Sequence, residues 1–146
     1  MTGTSPKALV LRASGFFDGT IPGINRYLEF FAEDAVWEFS PTAERSDWAR
    51  LEGKPAARTL YHGVYSGVRD GMSEILNVLA EGDLVVLEGR WTSTAARDMN
   101  GVAAGTRRHD FTTLFTVRDG LIVHARQYVV TPIVVTIDSQ TEEKKA

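Results

Sequence analysis

Between residues 108 and 132, apolar and polar positions alternate on both sides of the dipeptide Asp119-Gly120. On the first arm Phe111, Thr113, Phe115 and Val117 share one face. On the second arm Val123, Ala125, Gln127 and Val129 share one face, because side chains two apart in a strand point the same way. Asp-Gly between two alternating runs predicts a two-residue hairpin turn. Each arm therefore offers one wall to a core.

The pattern upstream is different. Ser5-Pro6 fits a helix cap followed by proline in the first turn, and Ala8, Leu9, Ala13, Phe16 and Phe17 follow with helical spacing up to Gly19. Thr20 is the next cap; Ile24, Leu28 and Phe31 form the apolar stripe of a second helix, with Arg26, Glu29 and Glu33 opposite. Residues 35–40 alternate and read as a strand, with Trp37 and Phe39 on one face and Glu38 on the other. Residues 42–52 are polar and read as a loop with one tryptophan, Trp48, a candidate lid. Gly53-Lys54-Pro55 opens a third helix whose stripe is Ala57, Leu60, Tyr61, Val64 and Val68. Strands are expected at 73–79 and 84–94 about the turn Glu81-Gly82-Asp83, then a loose connection at 95–105, then the hairpin, continuing to Ile137. Residues 1–5 and the polar tail SQTEEKKA are expected to be frayed and disordered.

Helices gathered ahead of a run of antiparallel strands predict an α+β fold: a curved antiparallel sheet wrapped around three helices from the N-terminal half, as a cone-shaped α+β barrel. The chain reads as a single domain over residues 1–146, with its core at about 8–137. The mouth of such a cone is a place for a small molecule.

Composition narrows the function classes. The 146 residues are 43% hydrophobic and 24% charged, with a net charge of -3. No basic run can track a phosphate backbone, so nucleic acid is not an expected partner. Cysteine is absent, which excludes disulfides, thiol catalysis and zinc-thiolate sites. No apolar run approaches about 18 residues, so no membrane span is expected. The N-terminal apolar patch is too brief for a signal peptide, and a cytoplasmic location is the expectation.

Several short motifs carry a resemblance. Phe30-Phe31-Ala32-Glu33-Asp34-Ala35-Val36 follows the second helix, and Leu51-Glu52-Gly53-Lys54 opens the third. Gly82-Asp83-Leu84-Val85-Val86 and Val117-Arg118-Asp119-Gly120-Leu121-Ile122, with Tyr128, lie in the strands. In this order, over roughly residues 8–132, they resemble the nuclear transport factor 2-like superfamily, especially its SnoaL-like and ketosteroid-isomerase-like members. The resemblance implies the cone fold. It does not settle the chemistry, because the superfamily hosts isomerases, hydrolases, cyclases, dehydratases and non-enzymatic binders.

Transfer of that family's chemistry leaves gaps. Ketosteroid isomerases place a base aspartate, an oxyanion tyrosine and a protonated aspartate where this chain has Phe39, Phe16/Phe17 and Thr113. Limonene-epoxide-hydrolase-like members carry an Arg and an Asp two apart on the middle strand; Arg90 matches the Arg, but Trp91 and Thr92 follow. Their last-strand acid is an amide here, in Arg126-Gln127-Tyr128. Phenazine-biosynthesis A/B proteins resemble the last hairpin, yet Arg108 stands near their acidic position.

The remaining candidates are weighed by parity. His109 shares parity with Phe111 and Thr113, so it points into the cone, where it either moves a proton near neutral pH or sits hydrogen-bonded at the rim. Asp110 takes the opposite face. Gln127 has an apolar face around it, so it either holds a substrate carbonyl or ties two strands. Trp37, Phe39 and Trp91 line either cavity or core. Tyr61 lies on the buried stripe of the third helix, and His62 beside it faces out. Arg90 and Glu88 share parity and form either an inward pair or an outer salt bridge, the second favoured by the apolar content of Val85, Leu87 and Trp91. The three histidines, His62, His109 and His124, lack metal-ligand spacing; neither metal nor other cofactor is expected.

The sequence thus predicts a small-molecule enzyme of isomerase, hydrolase or cyclase type acting on an apolar ring-containing substrate, polyketide- or steroid-like. The catalytic candidate is His109, and the substrate-binding candidates are Trp37, Phe39, Tyr61, Trp91, Thr113 and Gln127. A non-catalytic binder, or an interaction module with a filled cone, stays open. A homodimer is expected through the outer sheet face, where Thr112, Leu114 and Thr116 meet His124 and Tyr128.

Overall fold

A computed structural model of the chain describes residues 4–42, 45–95, 105–130 and 133–134. Helix α1 spans Pro6–Gly15 and α2 spans Ile21–Leu28. Strand β1 (Phe31–Phe39) and β2 (Ala49–Glu52) precede α3 (Lys54–Tyr65). Then come β3 (Val68–Glu81), β4 (Leu84–Ala95), β5 (Gly105–Arg118), β6 (Leu121–Val129) and the short β7 (Ile133–Val134). The strands form one sheet in the order β2-β1-β6-β5-β4-β3, with β7 added to β5. The sheet is curved, stays open, and wraps the three helices.

Local chemistry sets these boundaries. Ser5 Oγ accepts the Ala8 N–H at 3.2 Å and Thr20 Oγ1 accepts the Gly23 N–H at 3.1 Å, each satisfying an orphan donor of a helix first turn that also carries a proline. Asp119 and Gly120 both adopt positive φ, 54° and 78°, the twist a tight hairpin needs. The core is aliphatic and aromatic: Val10, Ile24, Leu28, Phe31, Trp37, Val85 and Ile122 are each at most 2% exposed.

The structure departs from the sequence pattern at five places. The second helix ends at Leu28, and Phe31 opens β1, paired with Ile122. Phe31 completes a helical spacing by coincidence; the pairing with β6 overrides it. The polar segment 42–52 contains β2, which pairs antiparallel with β1 through Val36–Glu52 and Phe39–Ala49. Helix α3 ends at Tyr65, so Val68 belongs to β3, which is twice as long as residues 73–79 because it lies along the whole of β4. The joint between β1 and β6 is parallel, with Trp37 beside Ala125 and Phe39 beside Gln127. Finally, a register shift lies between Thr116 and Val117 opposite β6. It turns Ile122 inward to 0% exposure and takes Val123 off the face of Ala125 and Gln127. The strand ends at Val129; residues 135–137 and the C-terminal tail lie outside the described residues, as do 96–104 and the first three residues.

Candidate functional site

The concave face of β4 and β5 and the face of α3 line two neighbouring cavities that share wall residues. An outer chamber of about 240 Å³ opens at the rim formed by Pro41, Thr42 and Arg45. An inner recess of about 80 Å³ lies toward Phe17 and Tyr27. Tyr61, Tyr65, Trp91, His109 and Gln127 border both.

Strand parity places these side chains. Val85, Leu87, Trp91 and Ser93 on β4 are buried on the concave side, and so are Thr113, Phe115 and Val117 on β5. His109 pairs in register with Trp91 and sits half-buried among them. Its Nδ1 is buried with no hydrogen-bond partner among the described residues. Burial first, and the charge of Arg107 after it, push the imidazole below its ordinary value of 6.5, against an opposing pull from Asp110. The ring is therefore neutral at pH 7 and able to accept a proton.

Deeper in, Gln127 Nε2 donates to Thr113 Oγ1 at 3.3 Å. This long bond leaves both groups capacity for another partner. Trp91 Nε1 donates to Ser93 Oγ at 2.9 Å, which fixes the indole plane. Opposite stands a cluster of phenols. Tyr61 and Tyr65 on α3 and Tyr27 on α2 are all held above their ordinary values by burial, so each stays a neutral O–H donor. Phe17 packs edge-on against Tyr27, Tyr61, Tyr65 and Trp91, with ring centroids 4.9–5.6 Å apart. It is the floor of the recess.

Most of the expected site residues converge: His109, Tyr61, Trp91, Thr113 and Gln127 border the recess, and Phe39 borders the outer chamber. Trp37 does not reach it. Its ring stacks on Phe31 at 4.7 Å in the core, 1% exposed. Trp48 lies on the other side of the sheet, under the Arg126 guanidinium at 3.6 Å from its ring centre. Arg90 and Glu88 face out and do not pair with each other. Arg90 makes two hydrogen bonds to Asp110, at 2.7 and 3.2 Å, and Glu88 accepts from Asn77 at 2.8 Å. Arg90 is thereby removed from the place its epoxide-hydrolase-like match would require. His62 is hydrogen-bonded to Asn25 on the helical surface.

Among the lining residues that the sequence analysis does not single out are Tyr65, Arg107 and Phe17 in its role as floor. Tyr65 is four residues after Tyr61 and so shares its face. Arg107 is two before His109 and shares its parity. Both signals were present. Among the described residues no three His, Asp or Glu side chains gather as a metal site, and no helix is long and apolar enough to cross a membrane.

Comparison with known proteins agrees with this geometry. Residues 22–125 match the SnoaL-like domain family. Among solved structures, an NTF2-like protein from Burkholderia thailandensis is 15% identical with a TM-score of 0.70, over 88% of this chain and 92% of that one. A protein provisionally assigned as a SnoaL-like polyketide cyclase from Jannaschia sp. CCS1 is 18% identical with a TM-score of 0.69, over 88% and 90%. An LEH-like epoxide hydrolase from M. tuberculosis is 18% identical with a TM-score of 0.62, over 86% of each chain. At these identities the likeness is one of fold. No curated protein matches the sequence.

Proposed function

The chain belongs to the SnoaL-like domain family, and from that premise we propose that it is a small-molecule enzyme using His109 as its acid–base group. The observation that carries this is the His109 imidazole: half-buried, held neutral, and with Nδ1 unpartnered among the described residues, at a cavity that Phe39, Tyr61, Tyr65 and Trp91 help to line. The named activities of structural neighbours, a cyclase and an epoxide hydrolase, belong to the same general type.

In this reading an apolar ring lies in the outer chamber against Phe39 and the contacting pair Trp91 and Tyr65. His109 takes a proton from a carbon next to a carbonyl. The electron pair of that C–H bond moves onto the carbonyl oxygen, and the resulting enolate is held by neutral donors: Gln127 and Thr113, with the Tyr61 and Tyr65 hydroxyls added. Fixed donors in a site with little water stabilise such an oxygen without reorganising. Return of the proton to another carbon gives an isomerase; attack of the enolate carbon on a second carbonyl, whose π pair moves to its oxygen and takes the proton back from His109, gives a cyclase. The described lining of the two chambers contains no carboxylate. Isomerase or cyclase chemistry, which needs one base and neutral donors, therefore fits better than hydrolysis by paired acids.

The test is His109→Ala on a ring substrate that the protein turns over. One general acid–base group contributes about 10²–10⁴-fold, so turnover falls at least about a hundredfold while the thermal midpoint stays put. Because the imidazole is shifted down from 6.5, wild-type turnover holds level as pH falls through 6.5 and declines only below it. Full turnover in His109→Ala ends the proton role. The missing carboxylate also favours a second reading, a carrier: ring compounds would bind in the cavity and be recovered unchanged. A homodimer through the outer sheet face belongs to the same proposal; sedimentation at micromolar concentration reads it directly, and a monomer refutes it.

A further inference from the structure

We propose that Gly89 determines which groups the inner recess accepts: carrying no side chain, it lets the Phe111 ring lie back on the sheet, and so keeps the recess open beside His109. The inference rests on the small-molecule reading above and deepens it by naming a specificity-determining residue and the size of group that enters.

Gly89 is buried in the middle of β4, opposite Phe111 on β5 and Ile75 on β3. A glycine inside a strand weakens it, because it packs nothing and loses the most backbone freedom on folding. It therefore needs a local reason. A Cβ built on Gly89 would stand 2.6 Å from Phe111 Cζ and 3.0 Å from its Cε2. Carbon atoms in good contact keep about 3.5–4.0 Å, so the ring rests where an alanine methyl would be. Phe111 shares the concave side with His109, at 6.4 Å between ring centres, and borders the recess. A bulge is the other usual reason for a strand glycine. Strand β3 does shift register against β4 between Ile75 and Asn77, beside Gly89. The two reasons predict different outcomes below.

Size makes the effect specific. The recess measures about 80 Å³, whereas a cavity that takes benzene measures about 150 Å³. It admits a short acyl group and no ring; the ring stays in the outer chamber of about 240 Å³. The acyl group reaches the recess past His109 and Gln127, which border both cavities. An added Cβ displaces the tip of Phe111 by about 1 Å. The sheet lies behind the ring, so the ring moves toward the recess. The backbone is hardly disturbed: the carbonyl oxygen of Glu74 would be 3.1 Å from the same Cβ, a contact eased by a few tenths of an ångström. Gly71, against Trp91, differs. A Cβ there would collide with the carbonyl oxygen of Asp18, and substitution would break backbone packing instead of reshaping the recess.

The experiment is equilibrium dialysis of the purified full chain against 2-acetylnaphthalene and 2-isobutyrylnaphthalene, which share a ring system and differ by two methyl groups on the acyl carbon. The readout is the ratio of their dissociation constants, with circular dichroism to show that each variant is folded. In Gly89→Ala the ratio shifts toward the smaller ketone by at least about fivefold, as overpacking of a close-fitting site would give. In Gly89→Ala combined with Phe111→Leu, which removes the displaced ring, the ratio returns to within about twofold of the wild type, the signature of a coupled pair. A folded Gly89→Ala with the wild-type ratio overturns the proposal. So does a shift that Phe111→Leu does not reverse, because the glycine then serves the bulge. Both of these leave the small-molecule reading standing. Binding of neither ketone to the wild type overturns both. If Gly89→Ala does not fold, Phe111→Leu alone decides: the ratio moves toward the larger ketone, and an unchanged ratio overturns the proposal.

Discussion

The two faces of strands β4, β5 and β6 are built from alternate residues of the same sequence, yet they treat polar groups in opposite ways. On the convex face the charges are matched to one another. Arg90 is bound twice by Asp110. Glu38 reaches His124 at 2.7 Å and Arg126 at 3.1 Å, and Arg126 lies over Trp48. On the concave face the polar groups are few, mostly neutral and loosely tied: the Thr113–Gln127 bond is 3.3 Å long and one nitrogen of His109 has no partner among the described residues. A native interior rarely leaves a buried polar atom unmatched without a reason in function or bound solvent. Charge is therefore a poor guide to the site here; unspent hydrogen-bonding capacity is a better one.

The sharpest test of the concave face is Trp91→Ala. The indole is 5% exposed and meets Phe17 and Tyr65 at 5.6 and 5.7 Å between ring centres. It also lies close against backbone: a Cβ added to Gly71 would sit 2.7 Å from its Cη2. Removing a ring so placed leaves a void that the surrounding backbone cannot close, and costs about 3–5 kcal/mol. Urea unfolding should show this as a lower midpoint with an unchanged slope. A loss under about 1 kcal/mol would mean that the wall relaxes easily, and a site that relaxes could not hold a substrate in register with His109.

On the convex face Glu38→Gln should be milder. Glu38 is 19% exposed at its side chain, and solvent still screens the cluster, so the loss at pH 7 is about 1 kcal/mol. Its dependence on pH is the informative part. The His124 hydrogen bond, with Arg126 behind it, holds the Glu38 carboxyl below its ordinary value of 4.5. A group depressed in the folded state stabilises above its unfolded value and loses that contribution as pH falls through its folded one. The gap between wild type and Glu38→Gln should thus be full at pH 6–7 and close as pH drops below 4.5. A gap that persists at about pH 3, where the carboxylate contribution has largely gone, would show that the substituted amide disturbs packing, and that the convex cluster is more than paired charge.

The same contrast explains what the sequence could and could not disclose. Alternation locates the inward face of β5 at His109, Thr113, Phe115 and Val117, because a period of two survives wherever pairing is regular; for β4 it leaves both parities open, and apolar content only favours Val85, Leu87 and Trp91, the residues the structure buries. It failed at Val123, where a bulge on β6 adds a residue and reverses the parity. It failed at Phe31 because a helical spacing ran on by chance into a strand. Parity also says which side of a sheet a residue is on, but not how far along the cone. Trp37 and Phe39 share a face, yet only Phe39 reaches the chamber, while Trp37 stacks on Phe31 below it. Arg107 and Tyr65 obeyed rules already in use. Arg107 stands beside a connection that reads as irregular; Tyr65 lies between Gly63 and Gly67, and glycine weakens the end of a helix.

The smallest expected effect falls on the most conspicuous ion pair. Arg90 and Asp110 are joined bidentately, but their side chains are 38% and 41% exposed. Solvent already satisfies much of what each offers the other, and exposed pairs of this kind contribute little. The pair shifts both groups toward their charged forms, Asp110 down and Arg90 up, without being needed to fold the sheet. Arg90→Met and Asp110→Asn, singly and together, should leave the thermal midpoint in place. They should also leave untouched whatever turnover His109→Ala abolishes, because both side chains stand behind the wall that Trp91 and His109 form. Arg90 is the one arginine of the middle strand that matches epoxide-hydrolase-like relatives by sequence, so the outcome divides two accounts of the cone. If Arg90→Met stops turnover with the fold intact, the chemistry runs through the convex side of β4. The assignment of His109 as the base would then have to be given up, because side chains on opposite faces of one sheet cannot share one cavity.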